Sequence, residues 1–161
     1  MLQSSFLPPQ MSQLEHDLRQ AITGEVRFDQ TNRLLYSTDA SNYQIEPLGV
    51  VFPAQADDIA AIHSLAATYD VPILPRGAGS SLAGQTVGRA LVMDLSRHLR
   101  RVVSVNAEAR TVRVQAGMVL NHLNAQLFGL GLMVGPDPAS GDRATIGGCI
   151  GNNATGMHSI L

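Results

Sequence analysis

The stretch Pro75-Arg76-Gly77-Ala78-Gly79-Ser80-Ser81-Leu82-Ala83-Gly84-Gln85-Thr86 constrains this chain more than any other. It lies between two short apolar runs, Val71–Leu74 and Ala90–Leu95. Short apolar runs bounded by turn residues read as buried strands. Small side chains let the backbone between them approach a ligand closely, and glycine reaches backbone angles closed to other residues. Successive N–H groups turned one way form a nest for an anionic oxygen. Arg76 and the hydroxyls of Ser80, Ser81 and Thr86 add donors. The simplest ligand for such a loop is a phosphate or a diphosphate.

Two common phosphate motifs are excluded. No Gly-Lys-Ser/Thr ending follows, so the loop is not a Walker A. A Rossmann fingerprint opens a helix, whereas here a strand follows, with no acidic residue placed for a ribose.

The surrounding pattern alternates helix and strand. Pro8-Pro9 precedes a helix over Gln10–Ile22, where Met11, Leu14, Leu18 and Ile22 form one stripe and Gly24 is the stop. Val26–Asp39 shows no long period and reads as irregular with one short helical turn. Asn32–Ser41 is a polar-flanked segment that lies over the core or against a ligand. Gly49–Pro53 is a buried strand, and a helix runs from Gln55 to about Tyr69 with Asp57 and Asp58 at its positive end. With the strand Val71–Leu74 this predicts a parallel pair joined by a helical crossover. Val103/Val105 and Val112/Val114 alternate with polar residues, as in an antiparallel hairpin with one wet face. Leu120, Leu123 and Leu127 stripe a helix over Val119–Phe128, ended by Gly129-Leu130-Gly131.

A second small-residue segment is Ala144-Thr145-Ile146-Gly147-Gly148-Cys149-Ile150-Gly151-Asn152-Asn153-Ala154-Thr155-Gly156. It predicts a helical turn with exposed backbone donors, or else a helix packed closely on a sheet through glycine. Paired with the first loop, it suits one extended ligand with a diphosphate centre and a flat ring system.

Composition narrows the classes. At 45% hydrophobic residues over 161 positions, the chain supports one real core. A net charge of -2 leaves no nucleic-acid footprint, and Arg97-His98-Leu99-Arg100-Arg101 reads as a solvated turn. The single cysteine, Cys149, excludes an intrachain disulfide and a cysteine-only metal site, and fits a reducing compartment. Among small neighbours it reads as a buried thiol rather than a nucleophile served by His158. No apolar run is long enough to span a membrane, and the N-terminus lacks the basic start and apolar core of a secretory signal.

The order of these motifs resembles the FAD-binding domain of the vanillyl-alcohol oxidase/p-cresol methylhydroxylase flavoproteins: strand-Pro-Arg-Gly-Ala-Gly-Ser-Ser, then Gly135-Pro136-Asp137-Pro138-Ala139-Ser140, then Ala144-Thr145-Ile146-Gly147-Gly148, then Asn152-Asn153-Ala154-Thr155-Gly156. Within that superfamily it is most similar to the D-2-hydroxy-acid dehydrogenase branch. Tyr36-Ser37-Thr38-Asp39-Ala40-Ser41-Asn42-Tyr43 and the stretch from Asn152 to Leu161 look closest to large members with a fused iron–sulfur domain. The resemblance implies an α+β fold, a p-cresol-methylhydroxylase-type (PCMH-type) FAD-binding domain of two small α/β subdomains, incomplete at the C-terminus. Residues 1–47 would be an N-terminal helical or irregular extension and 48–161 the truncated FAD-binding domain.

The resemblance places the FAD pyrophosphate on Pro75, Arg76, Gly77, Ala78, Gly79, Ser80, Ser81 and Leu82. It places the isoalloxazine and ribityl region on Pro136, Asp137, Ser140, Thr145, Ile146, Gly147, Gly148, Gly151, Asn152 and Gly156. Members with covalent flavin often carry a His in the first loop; Ser80 stands at the matching place, which implies non-covalent FAD. The implied reaction is oxidation of a D-2-hydroxy acid of the glycolate, D-lactate or 2-hydroxyglutarate type by hydride transfer to FAD. Electrons would leave to a quinone, a cytochrome or an iron–sulfur module. The implied location is cytoplasmic or peripheral at the membrane. The family's catalytic base and substrate-binding Arg and His residues lie beyond Leu161, so no catalytic residue and no metal ligand is assigned. Asp39, His63, His98, His122 and His158 read as surface or packing residues. Two alternatives stay open: a truncated, non-catalytic nucleotide- or phosphate-binding module, and an FAD oxidoreductase of another substrate class.

Overall fold

Helix α1 (Pro9–Ala21) buries the stripe Met11, Leu14 and Leu18, with proline as its first residue, where a missing N–H costs nothing. The computed structural model describes residues 9–157. Strand β1 (Glu25–Arg27) follows, then helix α2 (Gln30–Leu35), capped by Asp29, whose Oδ1 accepts from the Asn32 N–H at 3.0 Å. Next come β2 (Gly49–Phe52), α3 (Ala56–Thr68), β3 (Ile73–Arg76) and β4 (Leu91–Asp94). The chain divides in space into two units. One runs through Pro75 and takes in Ser81–Asp94; the other is Arg76–Ser80 with everything from Leu95 on.

In the first unit the sheet order is β1-β2-β4-β3. Every residue of β2 and of β4 is buried, which is why both read as continuous apolar runs. β2 and β4 are parallel, with Val50 opposite Val92, and β1 is antiparallel to β2, with Val26 opposite Val51. Leu91 N–H donates to the Pro72 carbonyl at 2.9 Å and Leu95 N–H to the Arg76 carbonyl at 3.0 Å, so β3 and β4 advance together. The crossover through α3 thus joins β2 to a strand that is not its neighbour. β4, with its fully apolar Leu91-Val92-Met93, fills the slot between them. Pro75 explains why β3 stands outside: a residue with no N–H is tolerated on an edge strand.

Asp58, only 2% exposed, ties this unit together. Its carboxylate accepts from Ala54 N–H at 2.8 Å, Gly24 N–H at 3.0 Å, and Thr23 N–H and hydroxyl at 3.1 Å. Standing in the first turn of α3, whose N-cap Gln55 makes no side-chain cap bond, it clamps the turn after α1 to the turn before α3. Burial pushes this carboxyl up, but the hydrogen bonds from Ala54, Thr23 and Gly24 outweigh it, and the group titrates below the ordinary Asp value. Tyr36 meets Phe52 edge-on at 5.7 Å between ring centroids, and its hydroxyl donates to Asp94 at 2.6 Å.

The second unit holds the hairpin β5 (Val102–Asn106) and β6 (Thr111–Val114), a two-stranded sheet of its own. Helix α4 (Leu120–Leu127) buries Leu120, Leu123 and Leu127 as its spacing predicts. A single 3-10 turn, Phe128–Leu130, extends it to Gly131, whose φ of 66° makes the left-handed cap. Helix α5 (Ile146–Gly151) ends the described elements. One expectation is corrected in the hairpin. The register passes from Val102↔Val114 to Ser104↔Arg113, so Val103 is the extra residue of a bulge. Val103 is 59% exposed, and Val102 packs instead with Val112 and Val114 around Met118, Leu123 and Leu127.

Asp58→Asn is expected to lower stability by about 3 kcal/mol at pH 7, since it leaves buried N–H groups facing an amide. The folded-state pKa of Asp58 lies below its unfolded value, so its contribution is complete above about pH 4 and fades as pH falls through the folded value. Urea melts at pH 7 and pH 3 check this: the gap between wild type and variant should narrow at pH 3, and a constant gap contradicts the assignment.

Candidate functional site

Within the second unit, Arg76 closes β3 and Gly77–Ser80 leave it as an irregular loop. A Cβ on Gly77 would fall 2.2 Å from Thr145 Oγ1, so the loop lies directly on the cap of α5. That contact brings the two glycine-rich segments together. Gly79 has φ 67°, and a Cβ there would lie 2.6 Å from Arg76 Nη2 and 3.1 Å from its Cζ. The guanidinium is therefore folded over Gly79, whose left-handed backbone favours glycine. Among the described residues, none accepts a hydrogen bond from the backbone N–H of Gly77, Ala78, Gly79 or Ser80. Buried or half-buried N–H groups normally find partners. Consecutive open donors beside a guanidinium make an electropositive cradle for an anionic oxygen cluster.

The start of α5 behaves differently from expectation. Thr145, 3% exposed, is its N-cap and accepts from Gly148 N–H at 3.2 Å. Ile146 N–H donates to the Met118 carbonyl and Gly147 N–H to the Ala116 carbonyl, both at 2.8 Å. The exposed donors expected at the start of this segment are thus taken, because the Ala116–Val119 backbone runs alongside and Val119 bridges to Thr145. Glycine at 147 serves packing: a Cβ would lie 2.8 Å from that of Ala116. Gly151 is the opposite case, with nothing within 4 Å of a built Cβ, beside exposed Ile150 and Asn152. Gly156 lies against Asp137, whose carbonyl oxygen a Cβ would meet at 1.8 Å, so Pro136-Asp137 and the Asn-Asn-Ala-Thr-Gly stretch are neighbours. The Ser140 carbonyl accepts from Arg143 and Ala144 in a turn that Asn121 N–H fastens to α4 through Gly141.

Other predicted residues fall elsewhere. Pro75 is exposed on β3. Ser81 and Leu82 belong to the first unit; the Ser81 hydroxyl bonds the Gln85 side chain, and Leu82 is 81% exposed. His63, His98 and His122 are exposed on separate elements, and His158 lies outside the described residues. Burial pushes the Cys149 thiol up, away from the thiolate a nucleophile needs. Among the described residues no group of three or more His, Cys, Asp or Glu is placed to hold a metal ion, and no helix is long and apolar enough to cross a membrane. Sequence reasoning missed two supports. Ala116 lends its carbonyl to α5, and Asp39 accepts from Ser41 N–H at 2.9 Å and from the Thr86 hydroxyl at 3.0 Å. Asp39-Ala40-Ser41 is a local turn signal that predicts the first of these bonds but not the second.

FAD, with a doubly charged diphosphate and a flat ring, fits this donor set: a guanidinium, open N–H groups and a glycine surface without protruding side chains. The comparisons agree. A family model described as an FAD binding domain matches residues 47–161. The D-2-hydroxyglutarate dehydrogenase of Pantoea ananatis is 39% identical over 145 residues, covering 88% of this chain and 14% of that protein. Glycolate oxidase subunit GlcD of Bacillus subtilis is 35% identical over 144 residues, covering 86% of this chain and 30% of that protein. Among solved structures, alkyldihydroxyacetonephosphate synthase shares the mixed α/β fold with a TM-score of 0.80 at 24% identity, over 94% of this chain and 33% of its own. The chain therefore spans a third or less of the length of these relatives. The matched region takes in both glycine-rich segments, and on that match the chain belongs to the FAD-binding domain family.

Proposed function

We propose that this chain is the cofactor-binding part of an FAD-dependent dehydrogenase or oxidase acting on a D-2-hydroxy acid of the 2-hydroxyglutarate, glycolate or D-lactate type. The observation that carries the reading is the loop Gly77–Ser80, with its open N–H groups, folded under the Arg76 guanidinium and seated on Thr145. The substrate class rests on relatives named for D-2-hydroxyglutarate and glycolate.

In this reading Arg76 and the 77–80 backbone bind the diphosphate, and Gly79 keeps both within reach of it. Thr145 fixes the start of α5 against the loop. Pro136, Asp137, Ser140, Ile146, Gly147, Gly148, Gly151, Asn152 and Gly156 border the rest of the cofactor, with Gly151 leaving open surface beside it. Pro75, Ser81 and Leu82 set the loop's two ends. When bound, FAD supplies two-electron redox chemistry, and the protein supplies binding and orientation. Ser80 offers a hydroxyl where a covalent attachment would use an imidazole, so the cofactor is held non-covalently. The acceptor is a quinone, a cytochrome or an iron–sulfur module, reached from a cytoplasmic or membrane-peripheral position.

The intact protein is expected to be yellow as isolated, and acid precipitation should release all its flavin into the supernatant. Flavin retained in the pellet contradicts non-covalent binding. Anaerobic mixing with D-2-hydroxyglutarate, glycolate or D-lactate should bleach the flavin band with at least one of them; no bleaching with any removes the substrate class. Arg76→Met should weaken FAD binding about tenfold with Arg76→Lys recovering part of it, since a charge-assisted contact is lost and then replaced by a point charge. Titration of apoprotein by flavin fluorescence reads this, and an unchanged Kd would place the diphosphate elsewhere.

A further inference from the structure

The far leg of the first loop, Ser81–Ala90, has no regular ladder of its own. It is held by a few specific contacts. The Ser81 hydroxyl meets the Gln85 side chain, and Ala90 N–H returns to the Gly88 carbonyl at 2.9 Å. One contact that fastens it to the rest of the first unit, beside Leu48 N–H on the Ala90 carbonyl at 2.9 Å, is Thr86: its hydroxyl donates to Asp39 Oδ2 at 3.0 Å, with the Thr86 N–H at 3.4 Å from the same oxygen. The other Asp39 oxygen accepts from Ser41 N–H at 2.9 Å. Two residues further on, Tyr43 covers Gly84, where φ is 76° and a Cβ would lie 2.6 Å from the ring. The segment carrying Asp39 and Tyr43 is itself fixed to the sheet through Tyr36, which packs on Phe52 and donates to Asp94 at the end of β4. Each contact lies inside the first unit. Together they form a chain from the sheet, through Tyr36 and Asp39, to Thr86.

We infer that Asp39 and Thr86 are positioning residues for the cofactor loop: their hydrogen bond holds its far leg in the bound conformation before FAD arrives. The inference rests on the FAD reading above and deepens it. The physical ground is entropic. A loop free to explore many conformations must be ordered on binding, and the ordering cost is subtracted from affinity. Residues 77–80, whose N–H groups are open, continue directly into the leg that Thr86 anchors, so fixing one end restricts the other. Burial raises the Asp39 carboxyl and the bonds from Ser41 and Thr86 lower it further than that, so it stays ionised at neutral pH and its bond to Thr86 is charge-assisted. Neither residue is among the donors assigned to the diphosphate, which separates anchoring from binding in an experiment.

The test uses apoprotein of the intact enzyme and FAD itself. Thr86→Val keeps the shape and removes the hydroxyl; Thr86→Ser restores it; Asp39→Ala removes the acceptor. Thr86→Val is expected to raise the FAD Kd about tenfold, Thr86→Ser to return it to within twofold of wild type, and the double variant Asp39→Ala/Thr86→Val to bind no more weakly than the weaker single variant. Amide exchange over residues 81–90 should accelerate in apo Thr86→Val and be slow again in its FAD complex, while the apo melting temperature moves little. A wild-type Kd in Thr86→Val overturns the inference, as does a loss of affinity matched by a general loss of apo stability. Wild-type protein that does not bind FAD at all overturns the functional reading and this inference with it, a different result from binding that is indifferent to Thr86.

Discussion

A missing side chain at Gly77 lets the loop after β3 rest on the hydroxyl of Thr145. That approach depends in turn on much of the second unit's arrangement. Thr145 can press against the loop because it is already fixed as the cap of α5, and α5 is fixed because Met118 and Ala116 take its first N–H groups. Those carbonyls are in place because Met118 is packed with Leu123 and Leu127 under the hairpin. The loop is thus supported from a hydrophobic core through a short relay of backbone hydrogen bonds. Any residue larger than glycine at 77 would push it off the relay's last member.

The first unit is held together by another means. Its sheet carries β3 to the loop's entry, and its clamp at Asp58 keeps α1 and α3 on that sheet. Both units use a polar side chain as a peg, Asp58 in one and Thr145 in the other. Each peg is almost wholly buried and each accepts from backbone N–H groups rather than from charges. This is the inexpensive way to bury polarity, because the donors are groups that would otherwise lack partners.

Legibility in the sequence varied with how local the deciding contact was. β2, β4, α3 and α4 are legible because their burial is written as continuous runs or stripes. β1 is not: three residues with a single buried Val26 carry no period, and only pairing with β2 makes them a strand. The bulge at Val103 is hidden because Val102 and Val103 are both apolar, and either could face the core until β6 fixes the register. In the candidate site, the glycines and Arg76 are legible as an anion loop. The occupancy of α5's donors is not, since the accepting carbonyls at Ala116 and Met118 are remote in sequence. Likewise Asp39 announces its turn with Ser41, but its bond to Thr86 spans 47 positions.

Pro75 has one more consequence. The carbonyls of Pro72 and Arg76 face β4, so the alternate residues Ile73 and Pro75 direct their backbone groups to the outer edge of the sheet. An unpaired edge invites a strand from another molecule to zip onto it, which is a route to aggregation. At Pro75 the invitation is withdrawn: there is no N–H to offer, immediately before the backbone opens into Gly77–Ser80. A foreign strand that began pairing along β3 would lose its register one residue short of the loop. The proline therefore leaves no N–H at that point of the outer edge for a foreign strand to pair with.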